Sequence, residues 1–176
     1  MNVAEAIRKR RSVRSYKRQP LEPEKLQQVL EAARLAPSAY NNQDWRFVVV
    51  QNKETLAELS HVCEDQAYIA EAGAAIVCCS TNPEHTLSSA ERAYPLDLAI
   101  AASFMMLQAV ELELATCWVG AYNPNRLKKL LRVPPEARVA CILVVGYPHY
   151  IPVETTRKPL EEIAAAEHYD QPFTGR

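Results

Sequence analysis

Glycine is scarce in this 176-residue chain, which has only Gly73, Gly120, Gly146 and Gly175. None of the four belongs to a G-x-G-x-x-G or a G-x-x-x-x-G-K-[ST] pattern, so a glycine-cradled nucleotide is excluded and a doubly wound dinucleotide fold is disfavoured. Any phosphate bound here is held by side chains. The C-x-x-C spacing is also absent. The five cysteines (Cys63, Cys78, Cys79, Cys117 and Cys141) are odd in number and sit mostly in apolar runs. That is the pattern of buried thiols in a reducing cytoplasm, not of disulfides or a metal site. Cys78 and Cys79 are adjacent, so on a strand they point to opposite faces. The longest apolar run, Leu98 to Leu107, is too short to span a bilayer, so no membrane association is expected. The Arg-rich start lacks the serine-rich character of a transit peptide. No triad of Ser, His and Asp and no carboxylate pair stands out. His61, His85, His149 and His168 are scattered, and each reads as a surface residue.

What is present is a local concentration of positive charge. The net charge of -1 hides seven Lys/Arg against Glu5 in residues 1–18, which leaves the remainder acidic. A chain-wide nucleic-acid surface has a more basic balance, so no nucleic-acid partner is expected. The cluster centres on Lys9 to Tyr16, KRRSVRSY, after a short amphipathic segment in which Val3 and Ile7 share a helical face. Guanidinium groups meet phosphate oxygens bidentately, and a hydroxyl between them adds a neutral donor. Arg10, Arg11, Ser12 and Arg14 therefore suit a phosphate monoester, and a solvated basic helix face is the competing reading.

The length fits one domain over residues 1–176, and 48% hydrophobic residues provide for a substantial core. Leu26, Val29, Leu30 and Ala33 follow helical spacing, with Pro23 in the first turn and Pro37 past the end. Trp45 to Val50 and Ala74 to Cys79 read as largely buried strands, with helical patterns at Lys53 to Cys63 and Tyr68 to Glu71 between them. Pro95 to Leu114 is the longest helical segment and is apolar around most of its circumference, as a central helix or a dimer seam would be. A strand at 116–119, a helix at 125–131 and a strand at 139–146 complete the core. The order predicts an α+β sandwich or a mixed sheet.

A second stretch, APSAYNNQDW at 36–45, places small residues after a helix end, giving a low surface for a planar ring, with amides at Asn41 and Gln43 for its polar edge. Taken alone it is a polar loop between a helix and a strand. Together with RRSVRSY at 10–16, Asp65-Gln66, DLAIAASFMML at 97–107, CWVGAYNP at 117–124, VVGYP at 144–148 and Arg157-Lys158-Pro159-Leu160, it resembles the FMN-dependent nitroreductase family along nearly the whole chain.

The resemblance implies an α+β nitroreductase-like fold: a central mixed or antiparallel sheet flanked by helices, in an intertwined homodimer with FMN at the interface. In that frame Arg10 and Ser12 take the FMN phosphate, with Arg11 close by. Arg14 lies nearer the pyrimidine end, where a cation stabilises the negative charge of the reduced ring. Pro37, Ser38, Ala39 and Asn41 come from the partner subunit, Gln66 contacts the ring edge, and Gly120 and Ala121 lie near N5. Arg157 returns to the phosphate. The implied activity is that of a cytoplasmic oxidoreductase passing electrons from NADH or NADPH to a small nitroaromatic or quinone-like acceptor by a ping-pong mechanism. The alternatives are a same-fold enzyme of reductive dehalogenation or flavin breakdown, and a non-catalytic phospholigand or nucleic-acid binding module. Two departures stand out: Asp44 replaces the proline usual before the tryptophan, and Thr155 stands where many relatives have a second late lysine. The chain is also short for the family, leaving little room for a substrate lid.

Overall fold

The fold was obtained as a computed structural model, which describes residues 1–173. It begins with α1 (Val3–Lys9), capped by Asn2 and Glu5 in a reciprocal capping box. α2 (Pro23–Arg34) starts on Pro23 and buries Leu26, Val29 and Ala33. After a single 3₁₀ turn (Ala39–Asn41) follow β1 (Trp45–Val50), α3 (Lys53–Val62), α4 (Tyr68–Glu71) and β2 (Ala74–Ser80). The chain continues through α5 (Ala93–Glu111), β3 (Ala115–Val119), α6 (Pro124–Leu131), β4 (Arg138–Gly146) and a short α7 (Leu160–Ile163).

The four strands form one antiparallel sheet in the order β1-β2-β4-β3. Helices cover both faces. Alternation along β2 divides its side chains between two cores: Ala75, Val77 and Cys79 face α3, α4 and α6, while Ala74, Ile76 and Cys78 face α2 and α5. All five thiols are buried and unpaired. The expected burial of the first two strands holds for β2, every residue of which is buried. In β1 only Val50 is fully buried. The topology gives the reason, since β1 is an edge strand with a neighbour on one side only.

α5 is the central helix of one layer and buries Leu98, Ala101, Ala102, Met105 and Ala109 against the sheet and α2. By length and composition alone it is long and apolar enough to cross a membrane. In this fold its buried stripe is core, each large side chain contributing about 1.5–3 kcal/mol. The helix ends short of Leu114 because Glu113 turns left-handed at φ 61°. The Leu114 N–H then donates to Ala109 O at 2.8 Å and the Glu113 N–H to Val110 O at 3.1 Å, the bonding pattern of a Schellman cap. Val3 and Ile7 do share a face of α1, but at 70% and 58% exposure it is an outward one.

Candidate active site

The basic segment lies along the free edge of β3. Ser12 bridges to Thr116 in parallel fashion, the Val13 N–H donates to Thr116 O at 3.0 Å, and Tyr16 pairs with Pro148 beyond the end of β4. These backbone bonds and the burial of Val13 and Tyr16 fix the segment, so that Ser12 and Arg14 point outward. Among the described residues Arg10 and Arg14 have no ion pair. Arg11 differs: its guanidinium donates to the carbonyls of Arg8 and Arg10 and lies 3.4 Å from the Glu154 carboxylate. It is committed within the chain and braces the cluster. A cavity of about 500 Å³ opens on its other side, over Val13, Ala115 and Ile151.

The ion pair with Glu154 brings the C-terminal segment alongside, and Arg157 follows three residues later. Its guanidinium is turned back onto Thr155 and Thr156. Thr155, the departure from the lysine pattern, thus serves as a hydrogen-bond acceptor for Arg157.

Arg14, Gln66, Gly120 and Ala121 come together near the same edge. Gln66 Nε2 donates to Cys63 O at 2.8 Å and to Ala121 O at 3.4 Å, while its Oε1 accepts from the Tyr68 hydroxyl. Within the chain Gln66 is therefore a strut to the 120–121 turn. Gly120 is exposed and faces open space: a Cβ there would meet only the Trp118 indole nitrogen, at 3.9 Å. No motif marks Tyr68 in the sequence, although a tyrosine on an apolar turn needs a partner for its hydroxyl. Burial is the main influence raising its pKa, Cys117 adds to it, and neighbouring Arg14 acts in the opposite direction.

Pro37, Ser38, Ala39 and Asn41 lie at the far corner of the sheet. Their loop leads into Trp45, which pairs with Ser80, itself paired with Arg138 at the start of β4; Ser12 sits at Thr116, which pairs with Val145 near its end. Three strand spacings across and seven residues along put about 28 Å between the two corners. The loop is held in an unusual shape. Tyr40, Asn41 and Gln43 all have positive φ, the Gln43 N–H donates to Ser38 Oγ at 3.0 Å, and the Ala39 N–H donates to Asp97 Oδ1 at 2.9 Å. Asp97 is buried on α5, where in the sequence it is only one polar residue in an apolar helical segment.

Asp44 clasps this loop to the segment after β2. Its carboxylate accepts from Asn82 Nδ2 at 3.3 Å and lies 3.6 Å from His85 Nδ1, and its carbonyl accepts from the Thr81 N–H at 3.1 Å. His85 is accordingly half-buried, with its ring 6.0 Å from that of Tyr40, and is not the surface residue expected.

Comparison with known proteins gives a consistent result. The Nitroreductase family matches residues 7–94 and 65–147. A putative NADH dehydrogenase/NAD(P)H nitroreductase of Methanothermobacter thermautotrophicus is 30% identical over 152 residues, 84% of this chain and 78% of that protein. An FMN reductase [NAD(P)H] of Bacillus subtilis is 29% identical over 189 residues, 95% of this chain and 74% of its own. Among solved structures, a nitroreductase family protein of Clostridium difficile superimposes with a TM-score of 0.86 at 36% identity, covering 96% of this chain and 99% of that one. The match extends from the basic segment to the end of β4, and the antiparallel sheet between two helical layers is shared, so this chain belongs to the nitroreductase family.

Proposed function

We propose that this protein is an FMN-dependent NAD(P)H oxidoreductase, folded as one domain and active as a homodimer whose two sites each draw on both chains. The observation that carries the reading is the separation of the site's two halves. Unpaired Arg10, Ser12 and Arg14 lie at one corner of the sheet and the small-residue loop at the opposite one, too far apart for a single flavin to touch both within one chain. A second copy, related by a two-fold axis, supplies the loop. Its seating is supported by the outward apolar residues of α1, α2 and α5, where Val3, Leu35, Phe104 and Leu107 line one depression and Leu96 and Ile100 continue along α5. A monomer rarely leaves such a face open to water.

The residues fit FMN by the chemistry of their donors. Arg10 and Ser12 would hold the phosphate, with Arg157 as a further donor from the C-terminal segment and Arg11 bracing the basic segment from within. When bound, FMN supplies the redox chemistry, accepting a hydride equivalent from NADH or NADPH and delivering electrons to a second molecule. Arg14 places a fixed positive charge where negative charge accumulates on reduction. Gly120 permits close approach because it carries no side chain, and Ala39 from the partner gives the opposing surface, its backbone anchored by Asp97. One slot then serves donor and acceptor in turn, which is the basis for ping-pong kinetics with nitroaromatic or quinone-like acceptors.

The test is spectroscopic. Purified protein should be yellow, release FMN on denaturation, and bleach anaerobically with NADH or NADPH. FMN that does not bleach with either nucleotide would move the reading to another flavin chemistry, and failure to bind FMN at all would overturn it.

A further inference from the structure

Asp97 lies on the buried stripe of α5, between Ala93 and Ala101, and is the only acidic or basic residue buried among those described. Its Oδ1 accepts the Ala39 N–H at 2.9 Å, whereas Oδ2 is enclosed with no hydrogen-bond partner among the described residues. Burial strips water from both oxygens and only one gains a donor, so for packing alone an apolar residue suits this stripe better. What Asp97 does that such a residue could not is hold the loop at Ala39.

That loop is strained. Tyr40, Asn41 and Gln43 have φ of 52°, 57° and 54°, left-handed backbone that non-glycine residues keep only where contacts over-determine it. Bonds inside the loop give its shape: the Asn41 N–H donates to Ser38 O at 2.9 Å, the Asn42 N–H to Ala39 O at 3.0 Å, and the Gln43 N–H to Ser38 Oγ at 3.0 Å. Its placement comes from outside. Asn42 and Asp44 lean on Asn82 and His85 in the segment after β2, and among the described residues Asp97 alone hydrogen-bonds the loop to a core helix. Outward the loop is bare within its own chain, with Tyr40 76% exposed.

We propose that Asp97 is a positioning residue that acts in trans: by holding the Ala39 backbone it sets the surface that closes the slot over a flavin bound at the partner's basic cluster. The inference rests on the divided site proposed above. Releasing Ala39 lets the strained loop relax, and the slot then orients a nicotinamide less well, while the phosphate donors on the other chain are untouched.

The test begins with Asp97→Ala and Asp97→Asn homodimers loaded with FMN, reading FMN affinity by equilibrium dialysis and the rate of flavin reduction by NADH per bound FMN. Asp97→Ala should slow reduction about tenfold or more and keep FMN affinity within about threefold. Asp97→Asn, which retains an acceptor for Ala39, should lose less. An unchanged rate in Asp97→Ala would overturn the proposal. Two heterodimers then locate the effect. With Arg10→Ala and Ser12→Ala in one chain and Asp97→Ala in the other, the intact cluster faces an intact loop, and its flavin should be reduced at the wild-type rate. With all three changes in one chain opposite a wild-type partner, the intact cluster faces the released loop, and reduction should be slow. A loss of stability alone would affect both arrangements alike, so equal rates, or the reverse order, would overturn the role of Asp97. Ala39→Trp, placed in the same two arrangements, tests the divided site itself. If Ala39→Trp acts across the dimer and Asp97→Ala does not, the site stands and this inference falls; if Ala39→Trp acts within its own chain, both fall. Asp97→Asn takes the place of Asp97→Ala in the heterodimers if the latter does not fold.

Discussion

The proposed division of each site between two chains has its sharpest test in subunit complementation. One chain carries Arg10→Ala and Ser12→Ala, which removes the proposed phosphate donors at the β3 corner. The other carries Ala39→Trp, which puts a bulky ring on the surface proposed to face the flavin at the β1 corner. Each homodimer is then defective in both sites. In a heterodimer the two defects fall together in one site, and the other site has an intact cluster from one chain and an intact loop from its partner. With the corners about 28 Å apart, no rearrangement of a single chain achieves this. The heterodimer, isolated through two different affinity tags, should therefore retain about half the FMN and half the NADH oxidation of wild type, one intact site of two. The parental homodimers should retain little of either. A heterodimer no better than its parents would refute the shared site and place cluster and loop in separate functions.

Further outcomes follow from single features. Arg10→Ala with Ser12→Ala should weaken FMN binding by about tenfold or more in the homodimer, since charge-assisted hydrogen bonds contribute about 1.5–3 kcal/mol each; equilibrium dialysis with FMN measures this. Glu113→Gly should stabilise the fold by about 0.5–1 kcal/mol, because the cap after α5 needs a left-handed residue, and urea denaturation would detect the gain. Gly73→Ala should cost about 1–3 kcal/mol in the same assay, as the new Cβ would stand 2.6 Å from Leu21 Cγ. Burial pushes the Cys79 thiol up to about 11 and that of Cys63 to about 12. In the unfolded chain such thiols ionise near 8.5, about the ordinary value. Above that pH the native state binds more protons than the unfolded one, so stability is fully present below it and declines as pH rises through 9 and 10. A urea midpoint that stays flat over that range would contradict the burial of these thiols.

Much of this protein was legible without coordinates because its signals are local. Short apolar runs placed β1 to β4 and period-3.6 patterns placed the longer helices within a few residues, and adjacent Cys78 and Cys79 had to diverge on a strand. The density of donors at Arg10, Ser12 and Arg14 is likewise a property of consecutive residues. The end of α5 escaped because Glu113 occupies a left-handed cap where glycine is usual, so no sequence signal marked it. Short α7 gave too few turns to show a period.

What required tertiary structure was everything that depends on which residues meet across the chain. Strand order made β1 an edge and set the loop at 37–41 at the corner opposite the basic cluster, and hydrophobic pattern carries no information about strand order. Arg11 and Arg10 are indistinguishable in sequence, yet only Arg11 meets Glu154 and the carbonyls that occupy it. In the sequence Asp97 is one polar residue in an apolar helical segment and Asp44 a departure from the family's proline; only the fold brings Ala39 and His85 beside them. Gln66 read as a ring contact, and its amide proved to be held by Tyr68 and Ala121. The sequence by itself determined the local elements, the buried stripes and the chemistry available. The fold alone decided which of those groups are consumed inside the chain and which remain free for a ligand, because that choice is made by contacts between residues far apart in sequence.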